Sequence, residues 1–154
     1  MTYDNKITET RDDCVELRYD VNGDNFTSAG EASVDVKRAL RELGFDAGVI
    51  RRVAIAMYEG EINMVIHAEG GEAVVCVYPD KIVITLSDRG PGIADIELAM
   101  QEGYSTAPDN VRALGFGAGM GLPNMRRYSD EFEIKSVIGE GTTVIMTVYT
   151  ERDA

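Results

Sequence analysis

Three polar side chains spaced four residues apart are the first candidates for chemistry. Glu59, Asn63 and His67 stand at positions i, i+4 and i+8, which on a helix would place all three along one face. A carboxylate beside an amide oxygen suits Mg²⁺ and its bound waters. A solvent-facing helix surface would show the same spacing, and for this stripe alone that interpretation is favoured.

A second candidate is the segment 88–92, Asp-Arg-Gly-Pro-Gly, which follows an apolar stretch. Asp88 would stand at the end of a strand, where a loop opens. Gly90 and Gly92 would allow a ligand to approach the backbone closely. The alternative is an ordinary Asp-Gly turn that binds nothing.

Glycine occupies every second position of the segment 115–121, Gly-Phe-Gly-Ala-Gly-Met-Gly. Free backbone N–H groups in front of a helix form a cradle for an anion such as phosphate. Because so many glycines are costly in chain entropy, we favour this cradle over a flexible loop. The segment 139–143, Gly-Glu-Gly-Thr-Thr, predicts on its own only a hairpin.

The rest of the chain predicts the elements that would position these residues. Ser28 and Glu31 fit a capping box at the start of the first helix. Hydrophobic periodicity and turn residues predict strands over residues 15–21, 73–78, 82–87, 132–137 and 142–149, and helices over residues 32–43, 46–68, 93–102 and 122–129. Runs of strands separated from runs of helices indicate an α+β two-layer sandwich. We expect residues 1–13 to form a flexible N-terminal segment and residues 14–150 a single domain.

Composition excludes several classes of partner. The chain has 15 Lys and Arg against 27 Asp and Glu, a net charge of −12, which disfavours nucleic acid and anionic membranes. No apolar run is long enough to span a bilayer and the N-terminus does not resemble a signal peptide, so we expect a cytoplasmic protein. Two cysteines and one histidine, without a Cys-x-x-Cys pair, argue against a metal site built on thiolate and imidazole.

The signatures of other nucleotide-binding folds are missing from the sequence. No Gly-Lys-Ser/Thr follows a glycine loop, as a P-loop would require. The glycine run does not give Gly-x-Gly-x-x-Gly and does not follow a first strand, which disfavours a dinucleotide-binding Rossmann site. The signature segments of eukaryotic-type protein kinases are also missing.

Taken in this order, the four segments resemble the motifs of the GHKL ATPase superfamily. Glu59-x-x-x-Asn63 resembles its N box, the segments 88–92 and 115–121 its first two glycine boxes, and the segment 139–142 its last one. The resemblance implies the Bergerat ATP-binding fold (HATPase_c-like), with a mixed, mostly antiparallel sheet covered by helices on one face. It also implies ATP and Mg²⁺ as cofactors.

Within the superfamily the chain resembles most the small anti-sigma-factor serine/threonine kinases, the RsbW, SpoIIAB and RsbT group, with RsbT as the nearest likeness. The segments 88–96, 103–106, 119–123 and 130–132 carry that likeness. The chain departs from RsbT in a longer lid, with residues 107–116 as the extra length.

The resemblance implies a role for each residue of the first two motifs. Asn63 would bind Mg²⁺ through its side-chain oxygen, and Glu59 would act as the general base on the attacking hydroxyl or water. Asp88 would accept a hydrogen bond from the adenine amino group. Gly92 would let the base lie against the backbone, and Gly90 would belong to the same nucleotide-binding motif.

The resemblance also implies roles for the later motifs. Backbone N–H groups of three lid glycines would bind the phosphates: Gly117, Gly119 and Gly121. Leu122 would begin the helix behind them, and Thr142 or Thr143 would contact the adenine through a hydroxyl or a water. Arg112 is expected to be a lid cation near the γ-phosphate, because an acidic protein must place some positive charge against ATP.

The function implied by the resemblance is phosphorylation of a serine or threonine on a STAS-domain partner, with a sigma factor or a phosphatase as the regulated target. A homodimer is compatible with it. The alternative is a nucleotide-gated binding module that captures a partner without phosphoryl transfer. The catalytic half of a histidine kinase ranks last, because the chain has no room for dimerisation helices.

Overall fold

The computed structural model describes residues 7–9, 14–22, 30–68, 70–101 and 121–150. Six strands occupy part of these ranges: β1 (Ile7–Glu9), β2 (Val15–Asn22), β3 (Gly70–Val77), β4 (Lys81–Asp88), β5 (Glu131–Val137) and β6 (Gly141–Tyr149). Four helices occupy another part: α1 (Glu31–Glu42), α2 (Ala47–Ala68), α3 (Ile96–Ala99) and α4 (Gly121–Tyr128).

The strands form one six-stranded sheet in the order β1-β2-β3-β4-β6-β5. All five pairings are antiparallel, where a mixed, mostly antiparallel sheet was expected. Because successive strand residues point to opposite faces, alternate residues are buried on the side that meets the helices. The central strands contribute this core set: Leu17, Tyr19, Val21, Ala73, Val75, Val77, Ile82, Ile84, Leu86, Val144, Met146 and Val148. The α+β two-layer sandwich is therefore confirmed.

Helix α2 lies close against the middle of the sheet. A Cβ atom added at Gly60 would stand 2.0 Å from Leu86 Cδ1 on β4 and 3.4 Å from Met125 Sδ on α4. Such contact leaves no space for a side chain, so Gly60 allows α2 to approach β4 and α4 together. This close approach positions the neighbouring Glu59 at the junction of α2 with α4.

The start of α1 differs from the predicted capping box. The N-cap is Gly30, with φ of 98°, and the helix begins at Glu31, so Glu31 cannot be the third helical residue that a capping box at Ser28 requires. Ser28 itself lies outside the described residues. The capping carboxylate comes instead from α2: Glu61 accepts hydrogen bonds from the backbone N–H of Gly30 at 3.1 Å, Ala32 at 3.3 Å and Ser33 at 2.5 Å.

Two further differences concern short elements. Helix α3 covers only Ile96–Ala99, capped by Asp95, whose carboxylate accepts from Leu98 N at 3.0 Å; the pattern predicts 93–102. The pattern does not predict strand β1, which lies within the segment 1–13, because three residues are too short to show an alternation. No helix in the described ranges combines the length and apolar character needed to cross a lipid bilayer.

Candidate nucleotide-binding site

The first part of the site is the junction of α2 and α4, where the N-box residues meet the last lid glycine. A Cβ atom placed on Gly121 would stand 3.7 Å from Asn63 Oδ1 and 3.9 Å from Glu59 Oε2. Both oxygen atoms therefore face the same point at the start of α4. Their common orientation follows from the i, i+4 spacing on one helix, as the sequence predicts.

Both side chains keep oxygen atoms available for a ligand. Glu59 Oε1 accepts a hydrogen bond from Asn124 Nδ2 at 3.3 Å, whereas Glu59 Oε2 and the Asn63 amide make no hydrogen bond to a residue in the described ranges. The two residues are half-buried and not fully desolvated. A half-buried carboxylate and amide with free oxygens fit a hard cation such as Mg²⁺ with its waters.

The described neighbours of Gly121 leave enough space for a side chain at this position. The distances of 3.7 Å and 3.9 Å at its Cβ position are ordinary van der Waals contacts. Packing against α2 would therefore tolerate a side chain there. A bare backbone in this place leaves room for a ligand to approach the N-terminal N–H groups of α4.

The second part of the site is Asp88 at the end of β4. Its Oδ1 atom accepts two backbone hydrogen bonds, from Gly90 N at 2.9 Å and from Thr142 N at 3.1 Å. These two bonds fix the orientation of the carboxylate. Its other oxygen, Oδ2, has no donor within the part of the chain that the structure describes. Oδ2 is thus free to accept a hydrogen bond from a ligand such as an adenine amino group.

The glycines around Asp88 allow backbone segments to touch. A Cβ atom on Gly141, at φ of 135°, would lie 2.1 Å from Asp88 O, and one on Gly71 would lie 2.2 Å from Ser87 O. Gly92, at φ of 82°, stands in the same way against Val137 O, at 2.6 Å. The contact of Gly141 with Asp88 packs the last glycine motif against the first. The motifs alone give no signal for Gly71, because it lies in none of them.

A hydroxyl pair supports the last motif. Thr142 Oγ1 lies 2.8 Å from Ser136 Oγ, which also accepts a hydrogen bond from Ile93 N at 2.7 Å. Thr142 therefore contributes to the Asp88 site through its backbone N–H while its hydroxyl contacts Ser136. Thr143 lies one residue further along β6, opposite Ser87. Ser136 is a site residue that no motif indicates, because its partner lies across a strand pair.

Helix α2 connects the two parts of the site. A Cβ atom on Gly90 would lie 2.6 Å from Ala68 Cβ, at the C-terminal end of α2. Ala68 follows Asn63 by five residues, about 7.5 Å along the helix axis at 1.5 Å per residue. Glu59, Asn63 and the contact with the loop after Asp88 therefore all lie in the C-terminal half of α2.

Other predicted site residues are only partly described. Gly117, Gly119 and Arg112 lie outside the described residues, and so does the side chain of His67. Leu122 is buried in the core beside Met125. The sequence motifs do not indicate Asn124 as a site residue. Its three-residue spacing from Gly121 on a helix could have done so, because it places Asn124 on the side that faces Glu59.

A buried acid lies behind the N box. Glu61 has 0% of its surface exposed, and burial raises its pKa, although the N–H donors of Ser33, Gly30 and Ala32 oppose that rise. It stands two residues from both Glu59 and Asn63, about 200° around the helix from each. One side of α2 thus carries the candidate site while the other is fastened to α1.

Comparison with known proteins gives one family. The model of the histidine kinase-like ATPase domain matches residues 25–148. The serine/threonine-protein kinase RsbT of Bacillus subtilis is 34% identical over 112 residues, which cover 70% of this chain and 78% of RsbT. The anti-sigma F factor of Clostridium acetobutylicum is 32% identical over 137 residues, covering 86% of this chain and 90% of that protein.

Among solved structures, the RsbU and RsbW domains of a Mycobacterium tuberculosis protein superpose on 90% of this chain with a TM-score of 0.61 and 19% identity. This chain spans 33% of that larger chain, and the likeness supports the fold alone. The family model covers most of the chain, and the relatives above 30% identity are kinases or anti-sigma factors by name. The chain therefore belongs to the histidine kinase-like ATPase domain family, the GHKL ATPases, in the anti-sigma-factor serine/threonine kinase group.

Proposed function

We propose that this protein is an ATP- and Mg²⁺-dependent serine/threonine protein kinase that phosphorylates a STAS-domain protein and thereby takes part in sigma-factor regulation. The observation that carries the proposal is the shared orientation of Glu59 Oε2 and Asn63 Oδ1 toward Gly121. A proton acceptor and a metal ligand then lie together at the start of α4. A protein that only bound a nucleotide would not need the carboxylate.

Recognition of the adenine falls to the Asp88 end of the site. Gly90 and Thr142 hold Asp88 Oδ1 through their backbone N–H groups. Because that carboxylate cannot rotate without losing both bonds, Oδ2 is pre-oriented to accept from an exocyclic amino group. A base that presents a carbonyl at the same position would meet an acceptor and be rejected, so the site is expected to prefer adenine over guanine nucleotides.

Phosphoryl transfer needs positioning and charge neutralisation more than covalent chemistry. Asn63 would hold the Mg²⁺ ion, which neutralises charge on the phosphates when it is bound. Glu59 Oε2 would accept the proton of the serine or threonine hydroxyl as that oxygen attacks. Asn124 keeps the Glu59 carboxylate facing the start of α4 through its 3.3 Å hydrogen bond.

The relatives support the type of partner. RsbT is a serine/threonine-protein kinase by name, and several other relatives are anti-sigma F factors by name, which supports protein partners in sigma-factor regulation. A STAS-domain acceptor goes beyond these names and is part of the proposal. Phosphate contacts of Gly117, Gly119 and Arg112 stay predictions.

Transfer of radiolabelled phosphate tests the proposal. Wild-type protein, [γ-³²P]ATP and Mg²⁺ are incubated with each purified STAS-domain protein from the same genome, and acid-stable label on one of them is expected. Glu59→Gln should lose at least 100-fold in transfer while ATP still raises its melting temperature. Glu133→Gln, the same change on the exposed face of β5, is the matched control.

Three results would contradict parts of the proposal. Full transfer by Glu59→Gln would remove Glu59 as the base. ATP-dependent stabilisation of the wild type without label on any STAS-domain protein would leave the nucleotide-gated binding module as the function. Acid-labile label would indicate a histidine acceptor.

A further inference from the structure

We propose that the phosphoacceptor protein docks on a surface formed by Val34 on α1 and by Ile55 and Tyr58 on α2, and that it does so with an apolar patch bordered by acidic residues. We call these three residues the Tyr58 surface. The inference rests on the proposed kinase function and adds to it the place and the chemistry of substrate recognition.

The Tyr58 surface exposes large apolar side chains. Val34 has 68% and Tyr58 41% of its surface exposed, and Ile55 is half-buried. Tyr58 rests on the start of α1, where its Cε2 atom would lie 2.7 Å from a Cβ atom on Gly30. Adjacent exposed apolar groups of this kind mark interaction sites more often than isolated ones do.

Val34 stands one turn of α1 after Gly30, the residue that the Tyr58 ring contacts. Val34 N donates to Gly30 O at 3.1 Å. Side chains on a helix lean toward its N-terminus, so the Val34 side chain leans toward the turn that Tyr58 contacts. Three hydrogen bonds to Glu61 on α2 hold the same turn of α1 in a fixed position against α2.

The Tyr58 surface borders the proposed base. Ile55, Tyr58 and Glu59 stand at i, i+3 and i+4 and therefore share one side of α2. An acceptor hydroxyl must come within about 2.6–3.2 Å of the Glu59 carboxylate. A stable protein interface covers about 800 Å² on each partner, which corresponds to a disc of roughly 16 Å radius. A folded acceptor centred on Glu59 therefore covers Tyr58 and reaches Val34.

Cations outnumber the one acid, Glu31, among the exposed charged residues that share a helix side with Val34 or Tyr58. Lys37 and Arg41 follow Val34 at i+3 and i+7 on α1, and Arg51 precedes Tyr58 by seven residues on α2, so each shares a helix side with the apolar patch. All three are exposed and none makes an ion pair with a residue of the described ranges. Unpaired cations on one side of a chain with a net charge of −12 favour an acceptor with acidic groups around its apolar patch.

Steady-state kinetics with a labelled acceptor test this docking. The probe is the purified STAS-domain protein that accepts phosphate from the wild type. Val34→Asp should raise the KM for that protein at least tenfold, and Arg51→Glu about fivefold, with kcat at saturating acceptor and the ATP-dependent rise in melting temperature unchanged. Leu43→Asp is the control, because Leu43 is also exposed but stands just beyond α1, about 13 Å along the helix axis from Val34 and about 180° around it.

The possible outcomes separate this inference from the kinase proposal. A KM within twofold of the wild-type value for both Val34→Asp and Arg51→Glu, on an acceptor that the wild type phosphorylates, overturns the docking surface alone. Failure of the wild type to phosphorylate any STAS-domain protein contradicts the kinase proposal and the docking surface with it. Conversion of a dimer to a monomer by Val34→Asp in light scattering, with unchanged KM, would show that a second copy of the chain covers this surface.

Discussion

Replacement of Glu61 should destabilise the fold more than replacement of any exposed acid. Glu61→Ala would leave three backbone N–H groups of α1, those of Gly30, Ala32 and Ser33, without their acceptor. A donor left unsatisfied costs about 1–3 kcal/mol. At the low end of that range, three unsatisfied donors give a loss of about 3 kcal/mol, because the space left by the Glu61 side chain can admit a water that replaces part of the lost bonding.

Urea denaturation at pH 7 measures this loss. With a slope of about 2 kcal/mol per molar urea, a loss of about 3 kcal/mol should lower the unfolding midpoint by about 1.5 M. Glu31→Gln is the control: Glu31 is exposed in the first turn of the same helix and should contribute only about 0.3–1 kcal/mol through the helix dipole.

A loss for Glu61→Ala no larger than that for Glu31→Gln would refute the reasoning. Such a result would mean that water replaces the carboxylate at the start of α1 without cost, and that the buried contact does not fasten α1 to α2. Unchanged slopes of the unfolding curves are needed for this comparison, since a changed slope would indicate a different denatured state.

The remaining predictions concern glycine, an amide and pH. Gly141→Ala should cost more than 3 kcal/mol of stability in urea denaturation, because its Cβ would overlap the Asp88 backbone, whereas Gly139→Ala, also at positive φ but in open space, should cost about 1–2 kcal/mol. Asn124→Leu should lower the phosphoryl-transfer rate about fivefold through loss of roughly 1 kcal/mol of hydrogen bonding to Glu59, with the ATP-dependent rise in melting temperature retained; an unchanged rate would remove Asn124 from the site. Because burial raises the pKa of Glu61, the protonated acid stabilises the fold below its unfolded pKa of about 4.3 and this contribution is lost as pH rises through the folded pKa. The wild type should therefore lose stability relative to Glu61→Gln, which does not titrate, as pH rises above the unfolded pKa; parallel pH profiles would contradict this.

The sequence pattern predicts most of the fold because burial on one side leaves a period in the chain. Strands β2 to β6 and helices α1, α2 and α4 lie within a few residues of their predicted positions. Each of these elements is long enough to show the period of a half-buried strand or an amphipathic helix. Elements of three or four residues, such as β1 and α3, contain too few positions for either period, so their existence or extent depends on pairing with the rest of the structure.

The candidate site also has one part that the sequence predicts and another that only the fold determines. The i, i+4 spacing of Glu59 and Asn63 determines that they share a helix side, whatever the rest of the chain does. The partners that orient the site come from elsewhere in the chain: Thr142 binds Asp88 across 54 residues and Asn124 binds Glu59 across 65 residues. Contacts of this kind leave no short-range signal, because neither partner constrains the sequence near the other.

The cap of α1 shows most clearly what tertiary structure alone decides. The local sequence offers Ser28 and Glu31 as a capping box, and that prediction is wrong because Gly30 takes the N-cap position. The acid that binds the free N–H groups is Glu61, which lies about thirty residues later in the middle of a largely apolar helix. By itself the sequence determined which segments are helices and strands and which motif residues share a helix side, since those follow from periodicity. Only the packing of α1 on α2 decided which carboxylate caps the helix, because N–H groups at a helix end donate to any acceptor that the fold brings within about 3 Å.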